Sequence, residues 1–143
     1  MKFSIGGVEH EKIEVEVVCY ERQPTGEYYD DNWVRGNVFI SVGGFKGNYG
    51  AAFLTDEFSR FLDELQNLYK SLKGTAEFET IEKQLYIKAS GDGKGHISIE
   101  GEAIDAAGIG NRLNFSLKID QTDLSYTIKQ LKEVVKHYPV RIA

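Results

Sequence analysis

The stretch KIEVEVVCY, from Lys12 to Tyr20, sets Ile13, Val15, Val17 and Cys19 in alternation with Glu14 and Glu16. A period of two is that of a strand with one buried face, so the two glutamates are expected to face water. WVRGNVFISV, residues 33–42, repeats the pattern with Val34, Val38, Ile40 and Val42 on one side. Trp33 and Phe39 stand on the other side, which predicts a strand covered on both faces. Gly43 and Gly44 suit a two-residue hairpin turn, after which FKGNYGAAF returns with Phe45, Tyr49, Ala51 and Phe53.

The period then changes. In TDEFSRFLDELQNLYKSLKG the residues Phe58, Phe61, Leu62, Leu65, Leu68, Tyr69 and Leu72 form one stripe at helical spacing. This predicts a helix over 56–73, with Thr55 as N-cap, Asp56 and Glu57 at the positive end of the dipole and Gly74 as the stop. Short alternating runs follow at 76–80, 85–89, 97–103 and 113–119. No stretch long enough for a crossover helix separates them, so antiparallel pairing is expected and a parallel nucleotide-binding sheet is not. Leu124, Ile128, Leu131, Val135 and Tyr138 mark a C-terminal helix that Asp120 or Thr122 can cap and Pro139 ends. No linker, repeat or low-complexity tract is visible. The expectation is one α+β domain over 1–143: an antiparallel sheet system of about seven or eight strands, sandwich or curved half-barrel, with one central and one C-terminal helix.

Composition supports an autonomous fold. A chain of 143 residues, 41% hydrophobic and 27% charged, can bury roughly two thirds of its unfolded surface. The start, MKFSIGGVEHEK, lacks the apolar core of a signal peptide, and no run approaches membrane-spanning length, so a cytoplasmic protein is expected. Cys19 is the only cysteine, which excludes an internal disulfide and any multi-cysteine zinc site. Its alternating context makes it a buried thiol. A net charge of −5 disfavours direct nucleic-acid binding and favours a basic partner.

The candidate chemistry is thin. Gly91, Asp92, Gly93, Lys94 and Gly95 make no working phosphate loop: a dinucleotide fingerprint would need glycine at His96, and a Walker loop would need serine or threonine at Gly95. Both require a following helix, whereas a strand follows here. An Asp-Gly hairpin turn fits instead. GFKG at 44–47 matches the clamp of RNA-binding KH domains, but it lies between strands rather than helices. GIGN at 108–111 reads as a loop. His10, His96 and His137 have no metal-ligand spacing, although His96 beside the turn stays of interest; His137 complements a helix C-terminus. Glu100 and Glu102 share a strand face, more simply a solvated face than an acid and base pair. No G-x-S-x-G elbow exists.

One connection differs. ERQPTGEYYDDNW, residues 21–33, sets Tyr28, Tyr29 and Trp33 among Glu27, Asp30 and Asp31. Tyrosine and tryptophan offer large contact areas at low entropic cost, and flanking carboxylates steer a basic partner; the other reading is a polar loop whose aromatics fold back onto the sheet edge.

WVRGNVFISVGGFKGNYGAAF, LYKSLKGTAEF, GDGKGHISIEG and NRLNFSLKIDQTDL, in that order, resemble the succession of motifs in WapI-type immunity proteins and related bacterial domains. GDGKGHI at 91–97 and DQT at 120–122 are the most distinctive pieces, and the resemblance spans roughly 33–135. It implies a small cytoplasmic, non-enzymatic protein without cofactor or metal that binds and neutralises the nuclease domain of a contact-delivered toxin. The first 32 residues carry no part of it, so partner choice is expected there. A small-ligand-binding α+β domain, with the sheet and central helix enclosing a pocket, is the alternative, and an enzyme is third.

Overall fold

The computed structural model describes residues 1–6 and 11–142, so the His10 turn lies outside the described residues. The chain order is β1 (Lys2–Gly6), β2 (Lys12–Tyr20), α1 (Tyr28–Asn32), β3 (Trp33–Val42), β4 (Phe45–Leu54), α2 (Thr55–Ser71), β5 (Lys73–Phe78), β6 (Leu85–Asp92), β7 (His96–Ile104), β8 (Arg112–Asp120) and α3 (Gln121–His137). The strands form two open antiparallel sheets, β1-β2-β3-β4 and β5-β6-β7-β8. This is the α+β class read from periodicity, with eight strands among the described residues split into two sheets rather than closed as a barrel.

Alternation accounts for the core. Ile13, Val15, Val17, Val34, Val38 and Ile40 of the first sheet share one apolar cluster with Phe78, Leu85, Ile87, Ile97, Ile99 and Leu117 of the second. Phe58, Phe61, Leu65 and Leu68 of α2 and Leu124, Ile128, Leu131 and Val134 of α3 complete it. Five phenylalanines, Phe3, Phe53, Phe58, Phe61 and Phe78, meet at its centre with ring centroids 5.2–6.3 Å apart. The outer sides of the strands differ from the expectation of full coverage: Trp33 and Phe39 are only half-buried.

No repeat is visible in the sequence, yet the topology repeats. Four strands in meander order followed by one 17-residue helix occur twice, as β1 to β4 with α2 and as β5 to β8 with α3. Each helix lies against the first strand of the other half, α2 on β5 and α3 on β1. The matching shows in hydrogen bonds: Gln130 of α3 accepts from the Ser4 amide of β1 at 2.9 Å, and Glu64 of α2 accepts from the Glu77 amide of β5 at 3.1 Å. Topology and edge chemistry carry this symmetry, and side-chain identity does not.

Helix ends refine the sequence reading. Asp120 caps α3, accepting from the Asp123 amide at 2.9 Å while the Asp123 carboxylate accepts from the Asp120 amide at 3.1 Å. At α2 the N-cap is Leu54, not Thr55, and Glu57 supplies the missing acceptor for the Leu54 amide at 2.7 Å. Gly74 is not the stop either. Leu72 takes the left-handed conformation itself (φ 58) and β5 begins one residue later.

Candidate functional site

The connection 21–32 between β2 and β3 contains the short helix α1 where sequence alone predicts a loop. Its inner side is fixed by two buried polar residues. The Asp31 carboxylate accepts from the Thr25 amide (2.7 Å), the Thr25 hydroxyl (2.8 Å) and the Gly26 amide (2.8 Å). Burial pushes the Asp31 pKa up, but these donors and the nearby Arg141 charge outweigh it, and the group titrates below the usual carboxylate range. Asn32 donates to the Tyr28 carbonyl (2.8 Å) and the Arg141 carbonyl (2.9 Å), and accepts from the Thr55 hydroxyl (2.7 Å) and the Arg141 amide (2.7 Å). One side chain thus joins α1, the start of α2 and the C-terminal segment.

The C-terminal segment forms the other wall. The Arg141 guanidinium lies 3.4 Å from the Tyr20 ring centroid and donates to the Arg22 and Asp31 carbonyls at 3.1 and 3.4 Å. Tyr20 donates to the Pro139 carbonyl at 2.6 Å and Tyr138 to the Val18 carbonyl at 2.9 Å. Their rings meet edge to face at 5.4 Å.

What this frame presents outward is an aromatic and acidic ridge. Tyr28 and Tyr29 are 38% and 63% exposed and their rings meet edge to face, 5.4 Å apart. Glu27 and Asp30 are exposed beside them, Asp30 within 3.8 Å of Arg22. Trp33 is half-buried as the first residue of β3, and its carbonyl accepts from the Glu21 amide at 2.9 Å. Of the six residues that the sequence pattern marks, Glu27, Tyr28, Tyr29 and Asp30 therefore share an exposed surface, Trp33 lies at its root, and Asp31 (4% exposed) faces inward as a strut. Asn32, Arg141 and Tyr20 carry no such mark in sequence, because the partners that define their roles lie more than a hundred residues away along the chain.

The glycine-rich stretch turns β6 into β7. Asp92 accepts from the Lys94 amide at 2.6 Å and the His96 amide at 3.2 Å, Gly93 takes φ 86, and the His96 ring nitrogen meets Asp92 at 2.9 Å. These contacts hold the Asp92 pKa below its usual value, the Lys94 amide contributing most. The Leu72 carbonyl accepts from the Gly93 amide at 2.7 Å and crowds the space a Cβ at Gly91 would need. The glycines serve chain packing and turning.

Among the described residues, no group of three His, Cys, Asp or Glu side chains is placed to hold a metal, and no helix is long and apolar enough to cross a membrane. Glu102 is engaged by Arg112 at 3.1 Å, and Lys88 lies opposite Glu100 in the strand register, so the two glutamates form a charge lattice on a sheet face. Cys19 is half-buried, its sulfur 3.7 Å from the Arg35 guanidinium. Depressions among the described residues, of about 90 to 520 Å³, include exposed side chains such as Lys46, Asn48 and Glu100 in their lining.

Comparison with known proteins supplies the class. The immunity protein WapI-like family matches residues 4–139. The chain belongs to the WapI-like immunity protein family. Membership points to toxin immunity, a role exercised by binding a toxin partner, and such families are generally non-catalytic. The match also takes in most of the first 32 residues, beyond the motifs that carry the resemblance in sequence. No curated protein matches the chain. Among solved structures, one similar to it is described as crystal structures of Trypanosoma bruciei MRP1/MRP2, with a TM-score of 0.49 and 9% identity over 96% of this chain and 83% of that one. That likeness says nothing of what this WapI-like protein binds.

Proposed function

We propose that this WapI-like protein is a cytoplasmic immunity protein that neutralises a basic, nuclease-type toxin domain by docking it on the α1 ridge. The observation that carries the proposal is the rigid presentation of Tyr28 and Tyr29. They project from a segment whose reverse side is locked by Asp31, Asn32 and Arg141. Holding aromatic side chains in place before contact lowers the entropic cost of association, which is how a few residues come to dominate an interface. Comparison of the two halves supports the same surface. The connection from β6 to β7 is a tight turn, while its counterpart from β2 to β3 is the long, helix-bearing segment 21–32. Long connections fixed on a rigid scaffold are where recognition concentrates.

Charge agrees with the partner class. A nuclease domain grips phosphates with a basic surface, and an acidic inhibitor of net charge −5 bearing Glu27 and Asp30 is complementary to it. The test is titration calorimetry against the purified domain of a candidate cognate toxin. Tyr29→Ala is expected to weaken binding by about 2 kcal/mol, roughly thirtyfold, with an unchanged melting temperature. Full affinity in Tyr29→Ala and Tyr28→Ala alike would remove the ridge from the interface, and a toxin domain without nuclease activity would overturn the partner class.

A further inference from the structure

The two open sheets have four edge strands, and three are guarded by side chains that occupy main-chain groups. On β1, Gln130 accepts from the Ser4 amide at 2.9 Å and Thr127 donates to the Ser4 carbonyl at 2.7 Å. On β4, the Gln84 carboxamide acts as a one-residue strand: it accepts from the Ala52 amide at 3.3 Å and donates to the Gly50 carbonyl at 3.2 Å. On β5, Glu64 accepts from the Glu77 amide at 3.1 Å. The fourth edge, β8, is different. Among the described residues, none outside β7 hydrogen-bonds the main chain of β8 between Leu113 and Ile119.

Ladder parity shows which groups that edge offers. The Ile104 amide donates to the Gln84 carbonyl, so the even-numbered residues of β7 bond toward β6 and the odd ones toward β8. Leu113, Phe115, Leu117 and Ile119, opposite Ala103, Gly101, Ile99 and Ile97, are therefore tied to β7. Asn114, Ser116 and Lys118 aim their amides and carbonyls outward, and all three are exposed. The Asp120 amide, of the same parity, does turn away from β7, toward Asp123.

We propose that β8 is a homodimerisation edge, pairing antiparallel with β8 of a second copy about a twofold axis at Ser116. The strand is self-complementary in that register. Ser116 meets Ser116, Asn114 meets Lys118, and Arg112 at one end meets Asp120 at the other, twice over by symmetry. Both charged groups keep capacity for the new contact: Arg112 uses one guanidinium nitrogen on Glu102, and Asp120 uses one oxygen on the Asp123 amide. A toxin strand on the same edge would need no such symmetry of charge.

An edge contact buries little area, so the dimer is weak and concentration-dependent. Sedimentation velocity of the full chain from about 10 µM to about 1 mM should show reversible dimers, and hydrogen exchange at the upper concentration should slow at the Ser116 amide while Phe115 and Leu117 stay protected throughout. Ser116→Pro removes an outward amide without touching the β7 ladder, and it is expected to weaken association at least about tenfold. Arg112→Glu, which sets like charges opposite Asp120, should do the same in a fold that cannot be suspected of proline damage. A monomer at about 1 mM, a dimer with a fast-exchanging Ser116 amide, or dimers unaffected by both variants would overturn the proposal. So would protection of Ser116 only when the toxin domain is added, which would assign the edge to a toxin strand.

Discussion

Glu57 offers a quantitative test of the packing between the two halves. The residue is 3% exposed, and its carboxylate bridges the Leu54 amide at the start of α2 and the Ile81 amide after β5, both at 2.7 Å. Burial raises its pKa, the two amides and Arg60 oppose that, Asp56 adds to it, and the group reaches about 7 from 4.5. A folded pKa above the unfolded one means that the native state holds the proton more tightly. The stabilisation is complete below about pH 4.5 and is lost as pH rises through about 7. Between about pH 8 and about pH 5.5 the native group takes up nearly one proton while the unfolded group stays mostly ionised. At about 1.4 kcal/mol per pH unit over the interval below 7, that amounts to about 2 kcal/mol, with solvent screening of an incompletely enclosed group reducing it toward 1. Glu57→Gln cannot titrate, and it sets an amide donor against one of the two main-chain donors. Urea unfolding of both proteins at about pH 8 and about pH 5.5 gives the difference directly. The wild type should gain about 1 to 2 kcal/mol more than Glu57→Gln on acidification. Glu79, whose pKa is raised mainly by its hydrogen bond to Glu77, titrates in both proteins and cancels. Equal pH dependence in the two proteins would refute the buried, proton-sharing role of Glu57.

Asn32→Ala removes four hydrogen bonds and leaves the Thr55 hydroxyl and the Arg141 amide without acceptors; a loss of about 3 kcal/mol is expected by chemical denaturation, with faster hydrogen exchange across 25–33. Gly101→Ala drives a methyl group into the Phe115 ring and to within 2.6 Å of the Tyr86 carbonyl, and should cost about 1 to 3 kcal/mol. If the ring is the cause, Phe115→Ala in the same chain will recover at least about 0.5 kcal/mol relative to additivity, measured as a double-mutant cycle.

The parts of this fold that are legible in sequence are those whose cause is local. The stripe from Phe58 to Leu68, the Asp120 cap and the Asp-Gly turn each depend on residues a few positions apart. β1 is short, five residues, and gains its place from β2 and from Gln130, far along the chain. The start of α2 departs by one residue from the pattern because Glu57, three residues on, caps a leucine that has no side-chain acceptor of its own. Glu57 in sequence is one of two acids suited to a helix dipole, and nothing nearby announces that Ile81 will donate to it. At the candidate site the exposed residues are legible by type: Tyr28, Tyr29, Glu27 and Asp30 stand at the surface. Asp31 has the same local context, yet it faces inward because Thr25 and Gly26 fold back over it.

The two halves solve the same problem with different chemistry. Sheets need guarded edges, and guarding by Gln130, Gln84 and Glu64 keeps three of them from pairing with other chains. These guards lie on elements from the opposite half, so docking of the halves and protection of the edges are one event. A chain whose halves separated would expose β1, β4 and β5 together, which ties solubility to the same contacts that hold the core. The departures from the repeat fall elsewhere, in the 21–32 connection and on the edge of β8. Arg141 makes the first of these departures depend on the end of the chain: its main chain holds Asn32 and its guanidinium caps Tyr20. The ridge therefore has its full backing only with Arg141 in place behind it, and its rigidity is a property of these long-range contacts rather than of the segment that bears the tyrosines.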